Sequence, residues 1–170
     1  MILLSSDTNI WLDFARLECL EEPFLLKEEC KYLMSADALS DELTSPPGIS
    51  KRLLELGIEV VEINDAEYRM TMDYGEKYRR LSVYDRFAIS IAKVRKIMLL
   101  TGDGALRSAA EKEGVKVHGT LWILDILHEK SVITARRYKE ILLKIQEYNG
   151  GFIRLPEKEI EKRLKRLFKK

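Results

Sequence analysis

Four acidic residues stand where chemistry with a divalent cation could be built: Asp7, Glu42, Asp85 and Asp103. Asp7 follows the run Ile2-Leu3-Leu4-Ser5-Ser6, and Asp103 follows Ile97 to Thr101 across one glycine. Asp85 closes Ser82-Val83-Tyr84-Asp85, and Glu42 precedes Leu43. Carboxylates gathered at one place repel one another strongly unless a cation holds them. Oxygen-only ligands of this kind select Mg²⁺ or Mn²⁺ rather than zinc. Neither of the two histidines has a partner at ligand spacing, and Cys19 and Cys30 form no metal-binding pair, which argues against a zinc enzyme. Both cysteines lie in helical patterns among apolar neighbours and read as buried thiols.

Each acid also has a plainer role. Asp7 could cap a helix that opens at Thr8 or Asn9, and Asp85 fits the third position of a capping box begun by Ser82. Asp103, between Gly102 and Gly104, suits an N-cap or a turn, and Glu42 could be one more exposed helical acid. Capping and solvated acids greatly outnumber catalytic ones. What sets these four apart is the architecture that would gather them.

Ile2 to Ser6 reads as a short buried strand, and Ile10, Trp11, Phe14, Leu17 and Leu20 follow at helical spacing. A short helix is expected around Pro23 to Cys30, a strand at Tyr32-Leu33-Met34, and a turn or two of helix from Asp37 to Leu43. Ile49 to Leu56 is an amphipathic helix stopped by Gly57, and Ile58 to Ile63 suits a strand. Asp65 to Leu81 reads as a solvated helix, and Ser82 opens a largely buried one through Ala92. Ile97 to Thr101 is a strongly apolar strand, followed by a helix from Ala105 to Glu113 and a last strand at Val115-Lys116-Val117. Leu121 to Glu129, Thr134 to Tyr148 and Pro156 to Phe168 show helical periodicity, and His118 falls in an expected turn.

Strands alternating with helices across short connections predict an α/β fold: three layers, α/β/α, around a central parallel sheet, with further helices at the C-terminus. In such sheets ligands collect beyond the carboxyl ends of the strands. Asp7 and Asp103 each fall directly after a strand, at that edge.

With 170 residues, of which 46% are hydrophobic and 34% charged, the chain can bury a core of its own and is not a disordered one. No apolar run approaches the roughly 20 residues of a membrane span, and the opening residues lack a signal peptide's basic start, so a cytoplasmic protein is expected. Pro156 to Lys170 holds seven Lys or Arg against three Glu, which leaves the rest of the chain about three charges negative. An acidic body with a basic tail suits carboxylates around a metal, with polyanion contact left to local basic groups. In the tail, Ile160, Leu164, Leu167 and Phe168 share one helical face, expected to pack on the body or a sister subunit.

Four stretches resemble the PIN-domain family: LLSSDTNIWLDF with Asp7, LMSADALSDEL with Glu42, LSVYDRFAISIAK with Asp85, and IMLLTGDGALRSAAEKEGVKV with Asp103. VHGTLWILDILHEKSVIT and GGFIRLPEKEIEKRL further resemble a prokaryotic, toxin-like subgroup with a Gly-Thr-Leu motif and a helical tail, so the likeness spans nearly the whole chain. Two departures stand out. Trp122 occupies a position that is often small in that subgroup, and Ala105 stands where some relatives carry a fifth acid, which leaves a second metal in question.

The resemblance implies a nuclease domain over 1–150 and a basic amphipathic helix over 151–170. It implies that Asp7, Glu42, Asp85 and Asp103 bind one or two Mg²⁺ or Mn²⁺ ions, and that a water made acidic by the cation attacks the phosphorus of RNA to leave a 5′-phosphate. It also implies a homodimer and a cognate antitoxin. Thr8, Asn9 and Thr101 could orient metal ligands, or serve only as caps and strand ends. Arg86 and Arg107 could meet phosphate, or form salt bridges on helix surfaces. A PIN-like module that binds RNA or protein without cleaving it is the competing reading. A haloacid-dehalogenase-type phosphatase would want Asp where Asn9 stands, and no glycine-rich dinucleotide fingerprint follows the first strand.

Overall fold

A computed structural model describes residues 1–167. Among these, five parallel strands form one sheet: β1 (Ile2–Ser6), β2 (Cys30–Ser35), β3 (Glu59–Val61), β4 (Met98–Leu100) and β5 (Val117–His118), in the order β3-β2-β1-β4-β5. The chain winds outward from β1 in one direction through β2 and β3, then crosses back to β4 and β5. The reversal lies between β1 and β4, where Ser5 pairs with Leu99 and Ser6 with Leu100. Strands that turn away in opposite directions leave a crevice beyond their carboxyl ends at that point. Asp7 opens directly onto it.

The strands alternate between two covered faces. Leu4, Tyr32, Met34 and Leu100 pack with Ile10, Trp11 and Phe14 of α1 (Thr8–Arg16), and with residues of α7 (Thr120–Glu129), α8 (Ala135–Tyr148) and α9 (Glu157–Leu167). Leu99 faces the other way, against α4 (Asp65–Lys77), α5 (Val83–Arg95) and α6 (Gly104–Lys112). Two shorter helices, α2 (Ala36–Asp41) and α3 (Ile49–Leu56), follow β2 and complete the order. This is the three-layer α/β/α arrangement expected from the sequence.

Polar residues in β1 are hydrogen-bonded rather than left bare. Ser5 Oγ donates to the carbonyl of Ala88 at 2.8 Å and ties α5 to the sheet. Ser6 Oγ accepts from Trp11 Nε1 at 3.0 Å and donates to the carbonyl of Leu33 at 3.0 Å, linking α1, β1 and β2. These bonds hold the last turn of backbone before Asp7.

Several local expectations are corrected. Pro23 to Cys30 is not an α-helix: Glu22–Leu26 forms a 3₁₀ turn, and Cys30 begins β2. Both thiols are buried all the same. The helix after Asp65 stops at Lys77 rather than Leu81, where Tyr78 leaves helical geometry. His118 lies in β5 rather than a turn, and its ring stacks on Trp122 with centroids 4.0 Å apart.

The tail helix α9 buries Ile160 and Leu164 in the main core. Arg163 pins it to α7 through Asp125, with Nη2 to Oδ2 at 2.6 Å and Nε to Oδ1 at 2.8 Å. Phe168, assigned to the same face from the sequence, lies outside the described residues.

Candidate active site

Asp7 occupies the N-cap position of α1, yet its side chain makes no capping bond. Its Oδ2 instead accepts from Thr101 Oγ1 at 2.9 Å, across the gap between β1 and β4. The residue is only 3% exposed. Burial is the main reason its carboxyl is pushed up from the ordinary 3.8 to about 7, and neighbouring Asp85, Glu42 and Asp103 add to the rise against the bond from Thr101.

That list of perturbing neighbours is the set singled out from the sequence. Glu42 follows α2 at its C-cap, half-buried, and its Oε2 accepts from Thr8 Oγ1 at 2.8 Å. Burial raises its carboxyl, the Thr8 bond opposes this, and Asp85 and Asp41 add to it. Asp85 completes a capping box on α5: its Oδ2 accepts the Ser82 N–H at 2.8 Å, and its own N–H donates to Ser82 Oγ at 3.1 Å. Burial raises its carboxyl too, while the bonds to Ser82 offset part of that. Asp103 caps α6, its Oδ1 accepting from the Leu106 N–H at 2.8 Å.

A common pattern follows. Each carboxylate has one oxygen held by a good hydrogen bond from the fold. Among the described residues, the second oxygen has no such bond, the nearest approach being Thr8 Oγ1 at 3.4 Å from Asp7 Oδ1. The capping and metal-ligand roles therefore do not exclude each other, since each uses a different oxygen. The N-termini of α1, α5 and α6 also meet at this edge, and their positive ends favour anions.

Buried acids elsewhere in the chain have cations beside them. Glu67 receives Arg95 Nε at 2.6 Å, and Asp13 has Arg16 at 3.5 Å. Asp7 has no such partner among the described residues and faces three other carboxylates. A buried charge is normally paired or bound to metal. The donor set fits a hard divalent ion in kind, being all oxygen. Among the described residues, however, no three such side chains already stand close enough to hold one.

The supporting residues divide. Thr8 and Thr101 are buried and bonded to the acids as described, whereas Asn9 is exposed on α1. Arg86 directs its guanidinium to the carbonyls of Ser82 at 3.2 Å and Thr71 at 3.4 Å, against α4. Among the described residues it forms no salt bridge, and its charge acts to lower the neighbouring Asp85 carboxyl. Arg107 lies beside Asp103 on α6, with Nη2 3.3 Å from the carbonyl of Thr101.

Two neighbours went unnoticed in the sequence. Tyr84 lines a small recess with Asp7, Thr8 and Glu42, and its hydroxyl donates to Asp41 at 2.9 Å. Its position one residue before Asp85 was the available signal. Asp13 lies buried on α1, its carboxyl pushed up to about 6 by burial against the influence of Arg16. An acid on an otherwise apolar helical face marks it in the sequence.

A family model described as DUF3368, PIN domain, matches residues 4–169. The chain belongs to the PIN-domain family. PIN domains are generally nucleases, and they typically use divalent metal ions. No curated protein matches the chain. Among the described residues, no helix is long and apolar enough to cross a membrane.

Proposed function

We propose that this PIN domain is a Mg²⁺- or Mn²⁺-dependent endoribonuclease whose site is Asp7, Glu42, Asp85 and Asp103. The observation that carries this reading is Asp7 itself, a buried carboxylate with no basic partner among the described residues and three acids for neighbours. Without a cation such an arrangement is costly, and the fold maintains it with hydrogen bonds to all four side chains.

The free oxygens of the four acids would hold the ion. Once bound, the cation supplies Lewis acidity for a water and for a phosphodiester oxygen. Thr101 keeps Asp7 facing the crevice, and Thr8 keeps Glu42 beside it. Arg107, bonded to the carbonyl of Thr101 at the end of β4, is offered as a phosphate contact; Arg86 is turned toward the carbonyls of Ser82 and Thr71. The hydrolysis does not use the ribose 2′-hydroxyl. The preference for RNA rests on resemblance, as do a toxin's place beside a cognate antitoxin and a homodimer. Gly119-Thr120-Leu121 and the tail helix carry that likeness.

A second reading, a PIN-like module that binds RNA or protein without cleavage, draws support from the separation of the carboxylates. Cleavage of labelled single-stranded RNA in Mn²⁺ or Mg²⁺ separates the two. The nuclease reading expects EDTA-sensitive cleavage that disappears in Asp7→Asn and Asp103→Asn. Cleavage that survives both substitutions overturns the site. No cleavage, together with no metal binding, favours the module.

A further inference from the structure

Next to Asp103 the surface opens into a groove of about 810 Å³, between the start of α6, the start of α7 and the segment leading into α9. This lies within the range of roughly 300–1,000 Å³ usual for small-ligand sites. We propose that this groove is a nucleobase subsite, holding one base of the RNA next to the phosphate at Asp103. The proposal rests on the ribonuclease reading above and adds to it where the substrate strand runs.

Two half-buried aromatic rings stand in the groove. His118 and Trp122 are stacked with centroids 4.0 Å apart and planes 11° from parallel. Burial, then Lys116 and Arg107, lowers the His118 pKa, so the pair presents a neutral aromatic surface at pH 7. Stacked rings at the edge of a polyanion site are what single-stranded bases lie against, whatever their identity.

The charges in the groove are sorted accordingly. Its far acids, Asp125 and Glu159, both pair with Arg163. Arg107 and Arg154 line it without a carboxylate partner among the described residues. Arg107 packs closely on Gly119: a Cβ there would stand 3.1 Å from Nη2 and 3.2 Å from the carbonyl of Thr101. A cation beside the acids and an aromatic wall beyond it match the order of phosphate and base along a strand.

Thr120 supplies an independent observation. It lines the groove, is fully buried, and among the described residues its hydroxyl has no hydrogen-bond partner. Buried hydroxyls are seldom left so unless a ligand or water completes them. Being enclosed, the hydroxyl would meet the edge of a base through a bridging water.

The test uses the full chain in EDTA at low salt, so that RNA binds without being cut. Short single-stranded oligoribonucleotides are titrated and followed by anisotropy and by tryptophan emission. Trp11 is fully buried, so a change in emission reports Trp122. The proposal expects quenching on binding and a Kd about tenfold weaker in Trp122→Ala, largely recovered in Trp122→Phe. An abasic oligomer of equal length should bind wild type about as weakly as natural RNA binds Trp122→Ala. If Trp122→Ala does not fold, the abasic comparison on wild type decides alone. Equal affinity for natural and abasic strands overturns the subsite, as does binding without quenching or no binding. A groove reserved for a protein partner would give that last outcome. Cleavage with Mn²⁺ is scored separately: a chain that cuts RNA yet ignores the bases keeps the nuclease reading and loses the subsite. One that stacks RNA on Trp122 and never cuts does the reverse.

Discussion

Thr101 donates its hydroxyl hydrogen to Asp7 at 2.9 Å, and the same oxygen accepts the backbone N–H of Asp103 at 3.0 Å. One buried side chain thus spaces two of the four acids across the β1–β4 gap. Thr101→Val keeps the shape and removes both bonds. It should weaken Mn²⁺ binding about 10–100-fold, the usual effect of losing a group that orients a metal ligand. Thr101→Ser should retain most of the affinity. Calorimetric titration of the three proteins checks this, and wild-type affinity in Thr101→Val would show that the bridge does not position the acids.

The raised carboxyl of Asp7 makes metal-free stability depend on pH. Below about pH 4 the group is protonated folded and unfolded alike and contributes nothing. Between 3.8 and about 7 the unfolded chain releases its proton while the folded one keeps it, so stability falls as pH rises. Above 7 the full handicap is present, on the order of 4 kcal/mol at most. In EDTA, Asp7→Asn should therefore be more stable than wild type at pH 8, and the advantage should fade toward pH 4. Denaturant melts at several pH values measure it. A pH-independent difference would contradict the assignment of Asp7 as an uncompensated acid.

Thr8 has one hydroxyl hydrogen and two acids near it, Glu42 at 2.8 Å and Asp7 at 3.4 Å. The shorter contact takes the hydrogen, so Thr8 acts through Glu42. Thr8→Val and Glu42→Gln should then each reduce cleavage, and the double variant should lose little beyond the worse single one. Full additivity in this cycle would show two independent roles.

Arg163 joins α9 to α7 through two bonds to Asp125 and is itself largely enclosed. Arg163→Met should cost about 2 kcal/mol, as expected for charge-assisted bonds, a Tm lower by roughly 4–8 °C in a chain of this length. Amide exchange in α9 should rise before that of β1. An unchanged Tm would mean that Ile160 and Leu164 alone hold the helix.

Much of this was legible because strand ends and caps leave local marks. Ser82 and Asp85 announce a capping box, Gly57 a helix end, and the run Ile97 to Thr101 a buried strand, and each appears in the fold. Glu42 rested on resemblance, since nothing in a short helix shows that its C-cap will sit across from β1. The 3₁₀ turn at Glu22–Leu26 and the two-residue β5 are too short to carry a period, so Cys30 and His118 were placed in the wrong kind of element.

The caps and the metal ligands looked like rival explanations in the sequence because a residue letter does not separate two oxygens. Asp85 and Asp103 each cap with one oxygen, while the Asp7 side chain does not cap at all. The groove beside Asp103 was beyond sequence reading. Its walls come from three segments that only the crossovers and the tail helix bring together. Trp122 was noticed there solely as a departure from relatives.

Titration of Mn²⁺ into wild type and Asp7→Asn at pH 7.5, with RNA cleavage followed in the same samples, decides whether these acids form a metal-dependent nuclease site. Wild type should bind the ion and cut, and Asp7→Asn should fold with equal or greater stability while losing both. Equal Mn²⁺ binding and cleavage by the two proteins would contradict such a site.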